Sequence, residues 1–275
     1  MKKILILGIG MAGHVIYKYL DSLKKYDLTG ISKTKTDYVD YQIDIRMELY
    51  ELAFVLENIF PDVIINCTGI LVKESENFPS RAIYMNTFFP RWLEHKYKDT
   101  SVKIIHISTD CVFDGVQGYY SETTPPNESN WYGRTKAMGE LNNNKDLTLR
   151  TSIIGPELKD EGSGLFSWFL RQTGIVRGYD KVLWNGITTL ELAKQIDKIL
   201  DIDNLVGLYH LITRKEITKY DLLILIQKIW GKKDIEIIKD SLVYSNKVLM
   251  NGRLEYEPYI PNYDKQLQEL HDWYK

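Results

Sequence analysis

The sequence predicts an α/β protein: a doubly wound parallel sheet followed by a smaller C-terminal unit. Three observations carry that prediction. Short apolar runs, KILILG at 3–8, PDVIINCTG around 62–67, VKIIHIS at 102–108 and LTLRTSIIG at 147–155, recur with helical stretches between them. That alternation gives parallel strands covered by helices on both faces. A glycine-spaced turn, Gly8-Ile9-Gly10-Met11-Ala12-Gly13, joins the first run to the amphipathic stretch HVIYKYLDSLKKY. After Gly155 the regular alternation fades.

Taken in order, the first strand at 3–8 leads into a helix reaching about Lys25. DLTGIS at 27–32 is the second strand, and the stretch from Tyr38 to Ile45 is the third. A helix from about Met47 to Asn58 follows, closed by Pro61 before the strand at 62–67, because proline lacks the amide a continuing helix needs. A helix over about 80–96 is interrupted near Pro90 and precedes the strand at 102–108. Residues 114–130 are rich in Gly, Pro, Ser, Thr and Asn and read as a loop. Ser129 or Asn130 is suited to cap the helix opening near Trp131. Beyond the strand at 147–155, EGSGLFSWFL, short strands near 175–178 and 207–212, and a helix near 218–230 read as a second, smaller unit. The expected domains are 1–155 and 156–275, with the option that residues 186–202 pack back on the first.

Composition narrows the class. The 275 residues are 44% hydrophobic and 26% charged, with a net charge of -2 and a pI near 6.2. No basic footprint for nucleic acid is visible, and no apolar run has the length of a bilayer span. The opening MKKILILGIGMAG imitates a secretory signal, but it passes straight into an amphipathic helix with no cleavage region. Cys67 and Cys111 make neither a disulfide framework nor a metal site, and a reducing, cytoplasmic setting is the simplest inference. No ligand cluster for a metal is apparent.

Gly8, Gly10 and Gly13 form G-x-G-x-x-G between a strand and a helix, the context this motif requires. It predicts a Rossmann-type sheet in which the backbone approaches a pyrophosphate and the helix N-terminus supplies free N–H groups. A tight turn without ligand is the alternative. At the end of the second strand an acidic residue would bind a ribose 2′-hydroxyl, whereas a basic one accommodates a 2′-phosphate. The chain reads Ser32-Lys33-Thr34-Lys35, with no carboxylate before Asp37. This favours NADP(H); solvated loop lysines would leave NAD(H) open. Asp44, with Ile45 after it, is a candidate for the adenine end, or else an ordinary helix N-cap.

Tyr132 and Lys136 form Y-x-x-x-K, which puts both on one helix face. With 19 tyrosines and 26 lysines, chance alone expects about two such pairs, and the chain has one. Its weight comes from position, just beyond the C-terminal end of the fifth strand, where the cofactor crevice is expected. Reducing a ketone requires a proton at oxygen as hydride reaches carbon, and a free tyrosine with pKa about 10 is a poor acid near neutrality. An ammonium about 4 Å away supplies on the order of 4 kcal/mol at an effective dielectric near 20, enough to lower it. Ser108-Thr109-Asp110 ends the fifth strand, and a hydroxyl there could orient the carbonyl. A strand-end turn is the plainer reading.

The set GIGMAG, PDVIINCTG, HISTDCVFDG, WYGRTKAMGE and LRTSIIG resembles the extended short-chain dehydrogenase/reductases, and within them the dTDP-4-dehydrorhamnose reductase group. The resemblance covers residues 1–155 well and is looser through GYDKVLWNGITTLELAKQI and the NGRL segment at 251–254. It implies a Rossmann-type domain, a smaller C-terminal substrate-binding domain, and NADPH-dependent reduction of a nucleotide-linked 4-keto-6-deoxy sugar for surface polysaccharide synthesis. By that resemblance Thr109 orients the carbonyl, Tyr132 is the acid, and Lys136 lowers the tyrosine pKa and holds the nicotinamide ribose. Cys67, Thr68 and Gly69 line the cofactor. Asn86, Asp110, Cys111, Trp184, Asn185 and Arg253 are assigned to the sugar-nucleotide side, with Arg253 facing phosphate. Trp184 as core and Arg253 as a surface charge are the alternatives.

The chain departs from the family in two places. Its glycine turn is one residue tighter than the usual G-x-x-G-x-x-G, and Cys111 stands where the rhamnose reductases usually have tyrosine. Related GDP-fucose synthases use a cysteine at that offset with a histidine after a Gly-Pro pair, which makes an epimerase/reductase the runner-up. Here Gly155-Pro156 is followed by Glu157, and none of the five histidines (14, 95, 106, 210, 271) stands there. A cofactor-binding regulatory subunit is the alternative of another class, since the regulatory subunit of methionine adenosyltransferase resembles the same group. The oligomeric state stays open, with a homodimer the assembly to test.

Overall fold

The structure is a computed structural model of the chain and describes residues 1–158, 162, 164–253 and 255–275. Glu161 and Ser163 of the EGSGLFSWFL segment, and Leu254 of NGRL, lie outside the described residues. The first part runs β1 (Lys2–Leu7), α1 (Gly13–Leu23), β2 (Tyr26–Ser32), β3 (Tyr41–Gln42), α2 (Leu49–Ile59), β4 (Val63–Asn66), α3 (Val72–Asn77), α4 (Pro79–Ala82), a π-helical turn (Ile83–Phe88), α5 (Phe89–Lys96), β5 (Lys103–Thr109), α6 (Trp131–Met138) and β6 (Leu147–Thr151). It continues through β7 (Ile153–Ile154), α7 (Leu165–Arg171), β8 (Gly174–Trp184), β9 (Ile187–Thr188), α8 (Thr189–Ile199), β10 (Gly207–His210), β11 (Ile217–Thr218), α9 (Lys219–Trp230), β12 (Ile235–Asn246) and α10 (Tyr263–Trp273).

Seven strands form one sheet in the order β10-β6-β5-β4-β1-β2-β3, with every pairing parallel. The order reverses between β1 and β4, which opens a crevice at the carboxyl ends of the strands. Strand alternation supplies both faces. Ile4 and Ile6 of β1 join the core beneath α1 and α8, while Leu5 and Leu7 join the core beneath α2 and α5. Each such side chain contributes roughly 1.5–3 kcal/mol on burial. A second core under α7, α9 and β8 holds Phe166, Phe169, Trp184, Leu222 and Tyr263. There β8 pairs in parallel with β12 and antiparallel with β11.

Five elements differ from the sequence expectation. The third strand shrinks to Tyr41–Gln42, held by two register pairs on β2. The helix over 80–96 is continuous through Pro90, which sits in the first turn of α5, and its irregularity is the π-helical turn just before. The strand at 207–210 belongs to the seven-stranded sheet beside β6, not to the smaller unit, because a short apolar run does not state which sheet it joins. β12 and α10 were not anticipated; β12 has a mostly exposed, weakly alternating pattern. Residues after 155 thus serve both units, with α8 packed on α1. No helix among the described residues is long and apolar enough to cross a membrane.

Candidate active site

At the end of β1 the amide of Gly8 donates to Ile31 O at 2.9 Å and that of Cys67 to Leu7 O at 2.8 Å. This draws the glycine turn between β2 and the 67–69 loop. Gly8 has φ +87°, and a Cβ there would lie 2.9 Å from Thr68 N; a Cβ on Gly13 would lie 2.1 Å from Gly8 O. Both glycines are therefore sterically required. Gly10 differs: its missing Cβ would meet nothing within 4 Å, so the backbone there borders an open cradle. No side chain caps α1, and its free amides face that cradle with the positive end of the helix dipole. Those features fit a pyrophosphate. Ala12 is buried, and the Met11 side chain reaches across to Gly164.

At the far end of the crevice the lysines of the 32–35 stretch diverge. Lys35 turns to the carbonyl of Val39, while Lys33 is exposed and Ser32 uses its carbonyl on Ile43 N at 3.0 Å. Asp44 is neither free nor the cap of α2, whose N-cap is Glu48. Arg46 grips Asp44 with Nε–Oδ1 3.0 Å and Nη2–Oδ2 2.7 Å and, with the charge of Lys33 adding, holds the carboxyl below its usual range. Ile45 is core, and its carbonyl accepts the Tyr84 hydroxyl at 3.3 Å. Arg46 was missed by sequence reasoning; a basic residue two positions after Asp44 was the available signal.

Thr109 ends β5 and caps the single 3₁₀ turn that follows. Its Oγ1 donates to Asp110 Oδ1 at 3.1 Å and accepts the Cys111 amide at 3.1 Å. Asn130, as expected for a cap, accepts Gly133 N–H at 2.8 Å and starts α6. A Cβ on Gly133 would lie 2.3 Å from Cys111 O, so the helix presses its first turn against the 109–111 turn. That close approach brings Tyr132 to Thr109, Asp110 and Cys111. Burial raises the Tyr132 hydroxyl well above its usual pKa; Cys111 and Asp110 add to this, and a hydrogen bond with Thr109 opposes it. Burial pushes the Cys111 thiol up to about 12 and raises the Asp110 carboxyl, against the charges of Lys219 and Lys247.

Lys136, one turn along α6, is 5% exposed. Its Nζ donates to Ile107 O at 2.8 Å and stands 4.0 Å from where a Gly69 Cβ would be. It thus faces the Cys67–Gly69 loop. Burial lowers it to about 8, opposed by Glu140 and Cys67. While Thr109, Asp110 and Cys111 surround the Tyr132 hydroxyl, the Lys136 ammonium is engaged with the Ile107 carbonyl. Beneath it, Glu140 pairs with Arg150 at 2.8 and 2.6 Å, Ser108 Oγ donates to Glu140 at 2.6 Å, and Arg150 meets His210 Nε2 at 3.1 Å. This buried network laces β5, β6 and β10 under the site. Glu140 lies four residues after Lys136, a spacing the sequence displays.

A family profile described as the RmlD substrate binding domain matches residues 1–243. The chain belongs to the RmlD substrate-binding-domain family. Among curated relatives, it is 33% identical over 115 residues to a dTDP-4-keto-6-deoxy-D-glucose reductase of Streptomyces niveus, covering 41% of this chain and 40% of that protein. The matched segment spans 34% of a probable low-salt glycan biosynthesis reductase of Haloferax volcanii, at 34% identity over 36% of this chain. A methionine adenosyltransferase 2 subunit beta of Xenopus tropicalis is 23% identical over 80% of this chain and 70% of its own length. The fold is that of the Bacillus anthracis dTDP-4-dehydrorhamnose reductase solved in complex with NADP, with TM-score 0.83, 21% identity, and coverage of 99% of this chain and 100% of that one.

Within this RmlD-family chain, several residues assigned to the sugar nucleotide do structural work. Asn86 is fully buried in the π-helical turn, where its Oδ1 accepts Ile70 N–H at 2.8 Å and its Nδ2 donates to Ile70 O and Thr135 Oγ1. It fixes the loop after Gly69 and is spent there. Thr68 is likewise held, its hydroxyl donating to Asn66 Oδ1 at 2.6 Å, and burial keeps the Cys67 thiol up at about 12. Trp184 is 3% exposed and stacks on Tyr263 with centroids 5.5 Å apart. Asn185 clamps Leu249 through both its carbonyl and its amide. Arg253 donates to Val206 O at 2.9 Å and lies 3.9 Å over the Tyr209 ring, so it secures the β10 edge instead of facing phosphate. Lys219 and Lys247, absent from the sequence assignment, are cations that act on the 109–111 turn.

Proposed function

We propose that the protein reduces the 4-keto group of a nucleotide-linked 4-keto-6-deoxy sugar with NADPH, for surface polysaccharide synthesis. The observation that carries this reading is the meeting of Tyr132 with Thr109 at the carboxyl end of β5, beside the glycine cradle. NADPH, when bound, supplies the hydride; Gly8, Gly10 and Gly13 would hold its pyrophosphate, and Ser32 and Lys33 its 2′-phosphate. The family membership and the reductases among the relatives support the substrate class.

The chain's own residues supply the rest. The Thr109 hydroxyl, whose proton goes to Asp110 Oδ1 in the free protein, would turn that proton to the carbonyl oxygen and so orient the substrate. Tyr132 donates the proton to that oxygen as it gains negative charge. The raised pKa keeps this tyrosine protonated near neutrality, the form a reductase needs. Lys136 faces the 67–69 loop, where a nicotinamide ribose would lie. Purified protein is to be incubated with NADPH and dTDP-, GDP- and UDP-linked 4-keto sugars, with product NMR. Absence of NADPH oxidation across the panel refutes the reading.

A regulatory subunit is the second reading, because the methionine adenosyltransferase relatives align over more of the chain than the reductases do. Full biological activity of Tyr132→Phe would favour it. Epimerisation through Cys111 is disfavoured, since Glu157 and not a histidine follows Gly155-Pro156 to share the proton transfer with it. The reading also includes a cytoplasmic location and a homodimer. Ile83 and Phe88, next to α6, and Met138 on it are exposed apolar residues suited to such a contact, which sedimentation would read.

A further inference from the structure

His14, the second residue of α1, is 3% exposed, and its ring reaches back to the glycine cradle. Nδ1 lies 2.6 Å from Gly10 O, and Nε2 lies 2.8 Å from the Tyr274 hydroxyl. Burial lowers the ring's pKa, opposed by the bond to Gly10 and helped by the charge of Lys18. The ring is therefore neutral at pH 7 and carries one N–H. A carbonyl only accepts, so that proton sits on Nδ1 and is donated to Gly10 O. Nε2 is then the acceptor for the Tyr274 hydroxyl, which burial keeps protonated.

Gly10 O also accepts the His14 backbone N–H at 3.2 Å. Both bonds draw this carbonyl along the helix. In a planar trans peptide the C=O and the following N–H point in opposite directions, so the Met11 N–H is aimed out of the helix end, at the cradle. Among the described residues no backbone carbonyl accepts the amides of Gly10, Met11 or Ala12. The peptide needs such a hold. Gly10 has no Cβ to restrict it, and one built there would meet nothing within 4 Å. Without the imidazole only the longer 3.2 Å bond resists rotation of the Gly10–Met11 peptide.

Tyr274 is held in turn. Trp273 packs on Tyr19 with ring centroids 5.9 Å apart, and Lys18 Nζ stands 5.3 Å from the centroids of both Trp273 and Tyr274. The end of α10 thus fixes the tautomer of a ring 260 residues away in sequence.

We propose that His14, backed by Tyr274, is a positioning residue for the dinucleotide pyrophosphate: it holds the Gly10–Met11 peptide so that the Met11 N–H is presented to the anion. This deepens the reductase reading and rests on it for the cofactor, but its test does not require turnover. In ¹⁵N spectra of the cofactor-free full chain the His14 proton is expected on Nδ1. The Met11 amide proton should move downfield as NADPH is added, and should not do so in His14→Leu. By fluorescence titration His14→Leu is expected to weaken NADPH about 5- to 10-fold, the contribution of one hydrogen bond, and Tyr274→Phe about 2- to 3-fold. His14→Asn, whose side-chain amide donates to the same carbonyl, should recover binding to within about 3-fold of wild type. Urea unfolding checks that each variant is folded; the Tyr274→Phe titration and the wild-type spectra do not depend on His14→Leu folding.

A proton on Nε2, a Met11 amide that NADPH does not move, or equal NADPH affinity in wild type and folded His14→Leu overturns the assignment. A wild type that binds no NADPH overturns the assignment and the reductase reading together. His14-dependent NADPH binding by a protein that reduces no nucleotide keto sugar overturns the reductase reading alone.

Discussion

Lys136→Met tests the tension between stability and function at the base of the site. The ammonium is almost fully buried, and burial lowers it to about 8 in the folded protein, against about 10.4 in an unfolded chain. A gap of roughly 2.4 units corresponds to about 3 kcal/mol of cost to folding while the lysine is charged in both states. The 2.8 Å bond to Ile107 O offsets about 1–2 kcal/mol of that, independently of pH. The sign follows from proton binding. Below pH 8 both states are charged and the cost is complete. Between pH 8 and 10.4 the unfolded chain binds the extra proton, so wild-type stability rises with pH relative to the variant; above 10.4 the cost is gone. Urea unfolding of both proteins without cofactor, at pH 7, 8.5 and 10, reads the difference. The variant is expected to be more stable by about 1–2 kcal/mol at pH 7, with most of a swing of about 3 kcal/mol toward the wild type complete by pH 10. A difference that stays flat across this range would refute the buried-ammonium argument.

The remaining predictions concern neighbouring groups. Tyr132→Phe should lower NADPH oxidation by about 10²- to 10⁴-fold, the usual contribution of a general acid, with NADPH affinity by fluorescence titration unchanged. Arg150→Met leaves Glu140 buried without its bidentate partner and should cost about 3–5 kcal/mol in urea unfolding. Cys67 and Cys111, both with thiols raised to about 12, should resist iodoacetamide at pH 7 in the native protein and react once it is unfolded, as mass spectrometry would report.

Much of this site is local in sequence, and that part was legible. Gly8 and Gly13 are demanded by contacts within one turn and its adjoining loop, so their spacing announced the cradle. Asn130 caps α6 three residues before Gly133, and Tyr132 stands between them, two residues after the cap. Thr109 lies at the end of the apolar run that forms β5. The roles of more distant pairs were not legible. Asn185 is consumed by Leu249, 64 residues away, and Arg253 by Val206, 47 away. Nothing in the types Asn and Arg distinguishes a ligand contact from a carbonyl clamp.

By itself, then, the sequence determined the parallel α/β architecture, the glycine-spaced turn and the placing of Tyr132 and Lys136 on one helix, because periodicity, steric demand and helix spacing act over a few residues. Only the tertiary structure decided where the charges point. It turned Lys136 to Ile107 O, placed β10 in the main sheet, and set Lys219 over the Trp184 ring. Burial and direction depend on which distant segments pack together, and with them the pKa of each group in the site.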